Sequence, residues 1–207
     1  MTITENSMTT VYLVRHGETE WNRIGLYQGT TDVLLNPTGL RQADELAERL
    51  RCVDFHAIYT SPLRRAWVTA ERIASGRQID LVMLPDLKEI SYGHWQGRPM
   101  TPRDGGANGL ERRWHVDPWS VSFPGGESLP DVEARAASIL QRICRSHPDQ
   151  TVLMCGHGHF NRCLLILARG WKRERFWEIE QLNGGWEILE VDYTLPLPAG
   201  RVDREHR

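Results

Sequence analysis

The sequence contains no hydrophobic run that reaches the ~18 apolar residues of a membrane-spanning helix. Residues 1–10 are polar and lack both the basic segment and the apolar segment of a secretory signal. These absences predict a cytoplasmic protein that has no membrane partner.

Cysteine is also scarce, with 4 residues in a chain of 207, and no pair shows CxxC spacing. A disulfide-stabilised domain is usually shorter and richer in cysteine. The cysteines lie in or beside apolar periodic stretches, which predicts buried free thiols in a reducing compartment. They are Cys52, Cys144, Cys155 and Cys163.

No charge of one sign predominates, because the formal net charge is -2. The protein therefore has no global attraction to nucleic acid or to an anionic membrane surface, and any basic site must be local. We expect a small-molecule partner and no nucleic acid. A hydrophobic content of 40% supports one domain with a sizeable core over residues 1–207, with flexible ends at 1–10 and 195–207.

What the sequence does contain is an alternation of short apolar strands with amphipathic helices. This pattern predicts an α/β fold, a three-layer α/β/α sandwich with a mostly parallel central sheet. Ser61 and Pro62 have the residue types of a helix N-cap and first helical position. Strands are predicted at 11–16, 57–60, 81–84, before His157 and at 186–191, and helices at 40–51, from Ser61 to about 76, around 132–143 and at 160–168.

Residues 98–128 interrupt this alternation with proline, glycine, tryptophan and mixed charge. An irregular insertion of this length is more often a functional lid than a packing element. A short helix is predicted within it at residues 110–114. Tryptophans and arginines in and beside this insertion form a lid over a polyanionic or sugar phosphate, or else the tryptophans pack on one another and the arginines face water. They are Trp95, Trp114 and Trp119 with Arg98, Arg103, Arg112 and Arg113.

Two apolar strands each run into a histidine followed by a glycine, His16-Gly17 and His157-Gly158. Ligands of open α/β sheets bind at the carboxyl ends of the strands. If the two strands are neighbours, both imidazoles and Arg15 converge on one small volume. A neutral imidazole can attack phosphorus and form a covalent intermediate.

Arg64 and Arg65 fall in the first turn of the helix predicted after Ser61, where a cation opposes the helix dipole. A bound anion would explain this placement, because guanidinium groups and helix-start amides both suit phosphate. Otherwise the two arginines are solvated helix residues.

Glu89 closely follows a predicted strand and therefore belongs on the same rim, where it is a candidate general acid. Glu18 is the rival carboxylate. A metal site formed by His16, His157 and His159 is the competing hypothesis, but adjacent arginines would repel a dication.

Together these residues resemble the histidine phosphatase superfamily, also called the phosphoglycerate mutase-like family. Four motifs occur in the family's order, at residues 13–22, 59–70, 87–97 and 156–158. Arg-His-Gly alone would be a weak signal, whereas four ordered motifs are specific. The resemblance covers residue 11 to about residue 190.

The resemblance implies that His16 is phosphorylated during the reaction, and that Glu89 first donates a proton and then activates water. It selects Arg65 over Arg64, and it implies that Arg15, Arg65 and His157 bind the phosphoryl oxygens. No metal or other cofactor is expected, since these side chains neutralise the developing charge. Further substrate-binding candidates are Asn22, Gln28, Gly29, Tyr92, Arg98, Gly158 and His159, the last with an alternative role in helix packing or in tuning His157.

Two departures from the family pattern favour a phosphatase over a mutase. Ile90 follows Glu89 where cofactor-dependent mutases carry arginine, and His159 follows Gly158 where they commonly carry asparagine. The expected activity is metal-independent hydrolysis of a small phosphate ester, such as a sugar phosphate. A phosphoglycerate mutase and a non-catalytic phospholigand-binding protein are the alternatives. The sequence does not identify the substrate, and it is compatible with a homodimer without requiring one.

Overall fold

A computed structural model describes residues 7–100 and 109–192 of the chain. Its sheet has the strand order β3-β2-β4-β1-β5. Neighbours among the first four strands in this order are parallel, while β5 is antiparallel to β1 at the edge. The strands are β1 (Met8–Arg15), β2 (Ala57–Thr60), β3 (Leu81–Met83), β4 (Thr151–Gly156) and β5 (Trp186–Asp192).

Helices cover both faces of this sheet and complete the predicted three-layer sandwich. Helices α2 and α3 pack together on one face, and α5 and α6 pack together on the other. The helices are α1 (Glu20–Arg23), α2 (Pro37–Arg49), α3 (Arg64–Ala74), α4 (Leu110–Val116), α5 (Leu129–Ser146) and α6 (Gly158–Arg169). Short 3₁₀ turns lie at Pro85–Leu87, Gly93–Trp95, Pro118–Ser120 and Arg173–Trp177.

The central strands are buried on both sides because successive side chains point to opposite faces of a sheet. In β4, Val152 and Met154 join the core beneath α5 and α6. Leu153 and Cys155 join the core beneath α2 and α3. This alternation anchors the strand that ends at His157 in two separate hydrophobic clusters.

The predicted start of α3 is wrong. The helix begins at Arg64 with Leu63 as its N-cap. Ser61 instead accepts a hydrogen bond from the Leu63 amide at 3.3 Å, so its hydroxyl stabilises a turn that precedes the helix.

The prediction of a flexible start is wrong for residues 8–10. They belong to β1 and pair with residues 190–192 of β5, a long-range partner that the local sequence does not reveal. Residues 1–6 and 195–207 lie outside the described part of the chain. Of the cysteines, three are buried as predicted, but Cys52 is exposed because it follows the end of α2 in a surface turn.

The predicted lid contains α4, which extends the expected helix of residues 110–114 to Val116. Residues 101–108, including Arg103, lie outside the described part. In the residues that are described, no helix has both the length and the apolar character needed to cross a membrane.

Candidate functional site

The two histidine strands are neighbours, which is the condition under which the sequence analysis expects their imidazoles to converge. Arg15 at the end of β1 pairs with Gly156 at the end of β4, and the His16 amide donates to the Gly156 carbonyl at 3.2 Å. The ring centroids of His16 and His157 are consequently 5.0 Å apart. The strand register therefore brings both imidazoles to one edge of the sheet.

Gly17 allows the backbone after His16 to approach α2 closely. A Cβ at this position would lie 2.3 Å from the Gly39 carbonyl oxygen, which belongs to the first turn of α2. The Gly17 amide donates to the Thr69 hydroxyl of α3 at 3.1 Å. Backbone contacts to two helices thus hold the segment that carries His16.

The His16 ring is buried, and its hydrogen bonds define the tautomer. Nδ1 lies 2.6 Å from the Gly17 carbonyl, so Nδ1 carries the proton and donates it. Nε2 then holds a lone pair and accepts from Arg65 Nε at 3.2 Å. Burial, followed by the charges of Arg65 and Arg15, lowers the pKa of His16 well below its ordinary value. The ring is therefore a neutral nucleophile.

Arg65 is 1% exposed and is positioned by carbonyl oxygens. Its Nη1 donates to Thr31 at 2.8 Å and its Nη2 to Gly29 at 2.7 Å. Burial lowers the pKa of Arg65 to about 10, which leaves it charged at neutral pH. Arg64 is exposed, so it is Arg65 that the structure places beside His16.

Arg15 supplies a second guanidinium to the site. Its Nη1 donates to the Gln181 carbonyl, while its buried Nε has no hydrogen-bond partner among the described residues. A Cβ at Gly158 would stand 3.5 Å from Arg15 Cζ, so α6 begins in van der Waals contact with this guanidinium. Burial lowers the pKa of Arg15 to about 10, and the group remains a cation.

His157 is fully buried at the N-cap position of α6. Neither of its ring nitrogens has a hydrogen-bond partner in residues 7–100 or 109–192. An unsatisfied buried polar group costs about 1–3 kcal/mol, and a phosphoryl oxygen would satisfy it. Burial, then Arg65 and His16, lowers the pKa of His157 well below its ordinary value.

A cavity of about 300 Å³ lies beside His16, Arg65 and Arg15. Ten of the twelve predicted site residues line it, while His157 lies next to His16 without lining it and Arg98 is exposed elsewhere. The predicted residues that line the cavity are Arg15, His16, Asn22, Gln28, Gly29, Arg65, Glu89, Tyr92, Gly158 and His159.

The Asn22 side chain can donate a hydrogen bond to a ligand through its Nδ2 atom. Its Oδ1 accepts from the Thr19 amide at 3.1 Å and from Asn183 Nδ2 at 3.2 Å. Because a backbone amide can only donate, the accepting atom is Oδ1, and Nδ2, which donates to no other described residue, is left to donate to phosphate.

Glu89 is held as an anion at the start of α6. Its Oε1 accepts from the Ile90 and Phe160 amides, both at 3.0 Å, and its Oε2 accepts from the His159 amide at 3.1 Å. Burial favours the neutral acid, but the hydrogen bonds from the His159 side chain and amide hold the pKa of Glu89 well below its ordinary value. The His159 amide is therefore bound to Glu89, so the substrate contact expected of His159 does not use this amide.

The His159 side chain links Glu89 to Tyr92. Its Nδ1 lies 3.4 Å from Glu89 Oε2 and 2.9 Å from the Tyr92 hydroxyl. Burial raises the pKa of Tyr92 well above its ordinary value, so this hydroxyl stays protonated. Burial lowers the pKa of His159 against the opposing effect of Glu89. His159 thus contacts the candidate acid rather than only packing at the helix start.

Sequence reasoning named one further lining residue, Trp114, as a possible lid residue, and it missed six others: Tyr27, Met100, His115, Arg162, Trp177 and Asn183. One of them carried a usable signal, since Arg162 stands three and four residues after His159 and Gly158 on the same helix and therefore shares their face. Trp177 and Asn183 lie on segments distant in sequence from the predicted site residues, and no local sequence pattern predicts their place at the cavity.

A metal site is the competing hypothesis for the three histidines. Within the described residues, no group of three His, Cys, Asp or Glu side chains is arranged to hold a metal ion.

Comparison with known proteins gives concordant matches along the chain. The family model described as the histidine phosphatase superfamily (branch 1) matches residues 11–196. Phosphoserine phosphatase 1 of Hydrogenobacter thermophilus is 32% identical over 191 residues, covering 89% of this chain and 88% of the relative. Probable phosphoglycerate mutase GpmB of Cronobacter sakazakii is 34% identical, covering 79% of this chain and 76% of the relative.

Solved structures also share the fold. YhfR of Bacillus stearothermophilus superposes with a TM-score of 0.83 at 33% sequence identity. The alignment covers 89% of this chain and 92% of that one.

Proposed function

The chain belongs to the histidine phosphatase superfamily, and from this premise we propose that it is a metal-independent phosphomonoesterase that uses a phosphohistidine at His16. The observation that carries the proposal is the His16 ring, whose unprotonated Nε2 lies 3.2 Å from Arg65 Nε. Arg15 and Glu89 line the same cavity. A nucleophile, two cations and an acid–base carboxylate therefore share one small volume.

In the first step, His16 Nε2 attacks phosphorus and the bond from phosphorus to the leaving oxygen breaks. Arg15 and Arg65 stabilise the charge that develops on the phosphoryl oxygens, and His157 contributes a neutral hydrogen-bond donor. The leaving oxygen takes a proton from Glu89, so the alcohol departs uncharged.

Glu89 must acquire this proton, because its pKa lies well below the ordinary value. A phosphate ester has a second pKa near ~6, so a fraction of the substrate enters as a monoanion that carries a proton. The remaining negative charge on the bound ester opposes ionisation of the carboxylate beside it. Binding of the substrate thus supplies the proton and favours its residence on Glu89.

In the second step, Glu89 accepts a proton from water as the water oxygen attacks phosphorus. The bond from phosphorus to His16 Nε2 breaks, which releases inorganic phosphate and restores the neutral ring. The carboxyl group then returns its proton to solvent or to the departing phosphate.

Hydrolysis is favoured over a mutase reaction by the surroundings of Ile90. This side chain, at the position where cofactor-dependent mutases carry arginine, is fully buried in the core. It does not line the cavity. A small phosphorylated metabolite fits a volume of about 300 Å³, and the relatives named above are named for phosphoserine and phosphoglycerate.

The test is phosphate release from a panel of phosphate esters, measured with excess chelator and in the His16→Ala variant. We expect full turnover in chelator and none above background in the variant. Loss of activity in chelator, or activity retained by His16→Ala, contradicts the mechanism. A coupled assay for interconversion of 2- and 3-phosphoglycerate would reveal a mutase if that rate exceeded phosphate release.

A further inference from the structure

Arg162 is a cavity arginine that the proposed chemistry does not use. It lies on α6 and lines the same cavity as His16. Its Nε donates to the Ile179 carbonyl at 2.9 Å, and its Cζ lies 5.5 Å from the ring centroid of Phe176 and 5.4 Å from that of Trp177. One hydrogen bond and two aromatic rings thus fix the orientation of the guanidinium plane.

The remaining donors of Arg162 have no acceptor in the described part of the chain. Within residues 7–100 and 109–192, its Nε makes the hydrogen bond just described, and neither Nη group donates to a protein oxygen. Glu89 is the one carboxylate among the described residues that line the cavity, and three backbone amides already occupy its oxygens. Arg162 therefore presents two parallel Nη donors without a counterion of its own.

Its neighbours place Arg162 on the leaving-group side of the cavity. His159 contacts the rings of Phe176 and Trp177, as Arg162 does, at centroid distances of 5.6 and 5.7 Å. His159 also contacts Glu89, the group that protonates the leaving oxygen. Arg15 and Arg65, in contrast, are the cations whose charges act on His16. The leaving group must therefore extend toward the wall that carries Arg162.

We propose that Arg162 forms a carboxylate-binding subsite, and that the substrate is a compact phosphate ester whose leaving group carries a carboxylate. This inference rests on the proposed function, because it uses the direction of the leaving group. The two Nη groups suit bidentate contact with a planar carboxylate. The rings of Phe176 and Trp177 lie 5.5 and 5.4 Å from the guanidinium, so this contact forms beside apolar surface, where it is stronger than in bulk water.

The test compares 3-phosphoglycerate with glycerol 3-phosphate, which differ by a carboxylate in place of a hydroxymethyl group. We expect the native protein to prefer 3-phosphoglycerate in kcat/KM by about 10- to 100-fold, the range of a charged hydrogen-bonded pair. Arg162→Gln should remove this preference by slowing 3-phosphoglycerate alone, and leave glycerol 3-phosphate within about 3-fold. Arg162→Lys, which keeps the charge but loses the planar pair of donors, should retain part of the preference.

Arg169→Gln is the matched control. Arg169 lies on the same helix and stacks on an aromatic ring, Trp171, at 4.8 Å, but it does not line the cavity. Its substitution should leave the ratio between the two esters unchanged.

Equal loss for both esters in Arg162→Gln would overturn the subsite, since it would show a role in the phosphate site or in the packing of Phe176 and Trp177. An unchanged ratio in that variant would overturn it as well. Hydrolysis of p-nitrophenyl phosphate reports separately on the proposed function. If the protein hydrolyses no ester, the affinities of His16→Ala for the two compounds, with and without Arg162→Gln, still decide the subsite by calorimetry.

Discussion

The two ends of the cavity are built from different kinds of structure. The phosphate end uses the termini of regular elements, with His16 after β1, Arg65 in the first turn of α3 and Gly158 at the start of α6. The opposite end uses α4 and a 3₁₀ turn, which contribute His115 and Trp177. Core packing fixes the first set, whereas His115 and Trp177 lie on segments outside the sheet. The proposed phosphate chemistry thus relies on the ends of regular elements, whereas irregular segments complete the opposite wall of the cavity.

After His16→Ala, which should abolish turnover, Glu89→Gln should produce the largest effect at the phosphate end. For an alkyl ester, kcat should fall by roughly 10²- to 10⁴-fold, because the amide cannot protonate the leaving oxygen. The loss should be much smaller for p-nitrophenyl phosphate, whose leaving group needs no proton. Steady-state kinetics with both esters measures this difference.

Glu18→Gln is the control for that substitution. Glu18 is the rival carboxylate, but its Oε1 accepts from Asn36 Nδ2 at 2.7 Å and it does not line the cavity. A similar loss in Glu18→Gln, or an equal loss for both esters in Glu89→Gln, would contradict the assignment of the acid.

Arg65→Gln tests the phosphate end with an adjacent arginine as control. Removing a fixed cation from the developing charge should lower kcat/KM by roughly 10²- to 10³-fold for every ester. Arg64→Gln should change it by less than about 2-fold, because Arg64 is exposed. Comparable losses in the two variants would show that the position of Arg65 beside His16 has no catalytic significance.

The buried histidines of the phosphate end should make stability depend on pH. The folded pKa values of His16 and His157 are depressed mainly by burial, so only the unfolded chain takes up these protons below its ordinary value of 6.5. The free energy of unfolding should therefore fall as pH drops below 6.5, by up to ~1.4 kcal/mol per pH unit for each histidine. Urea denaturation at pH 7 and at pH 5.5 measures the change.

His157→Asn should flatten this dependence, while the same substitution at His94, which is exposed, should not. Identical slopes in the native protein and in His157→Asn would mean that His157 is protonated in the folded state.

The smallest effect is expected at the opposite end of the cavity. His115 is exposed on α4 and lines the cavity. His115→Ala should change KM by no more than about 3-fold and leave kcat unchanged, since an exposed contact contributes little. A large fall in kcat would remove the distinction between the two ends.

The phosphate end of the cavity could be predicted from the sequence more fully than the opposite end. The pattern of an apolar strand followed by His-Gly predicted two strand ends that carry histidines, and the register of Arg15 with Gly156 shows that these strands are neighbours. The ends of strands can be predicted from the sequence because a local pattern defines each strand, and the geometry of a parallel sheet places their carboxyl ends at one edge. The family resemblance then implied roles for Arg65 and Glu89 that spacing alone left open, and these roles stay predictions.

The remainder depended on contacts between distant segments. Asn183 Nδ2 donates to the His16 carbonyl at 3.1 Å, and the two residues are 167 positions apart in the sequence. No periodic pattern predicts such a pair. The Glu89 hydrogen bonds to the His159 and Phe160 amides likewise join separate elements. Arg98 was expected at the substrate, yet it is exposed and away from the cavity, because the chain there pairs its backbone with Tyr27.

The central claim, covalent catalysis by His16, is tested most directly by trapping the intermediate. The protein is mixed with a phosphate ester, denatured within milliseconds at alkaline pH, digested and examined by mass spectrometry. We predict one phosphoryl group on the peptide that contains His16, labile to acid and absent from His16→Ala. Turnover without a phosphorylated protein, or a phosphoryl group on any other residue, would contradict the account.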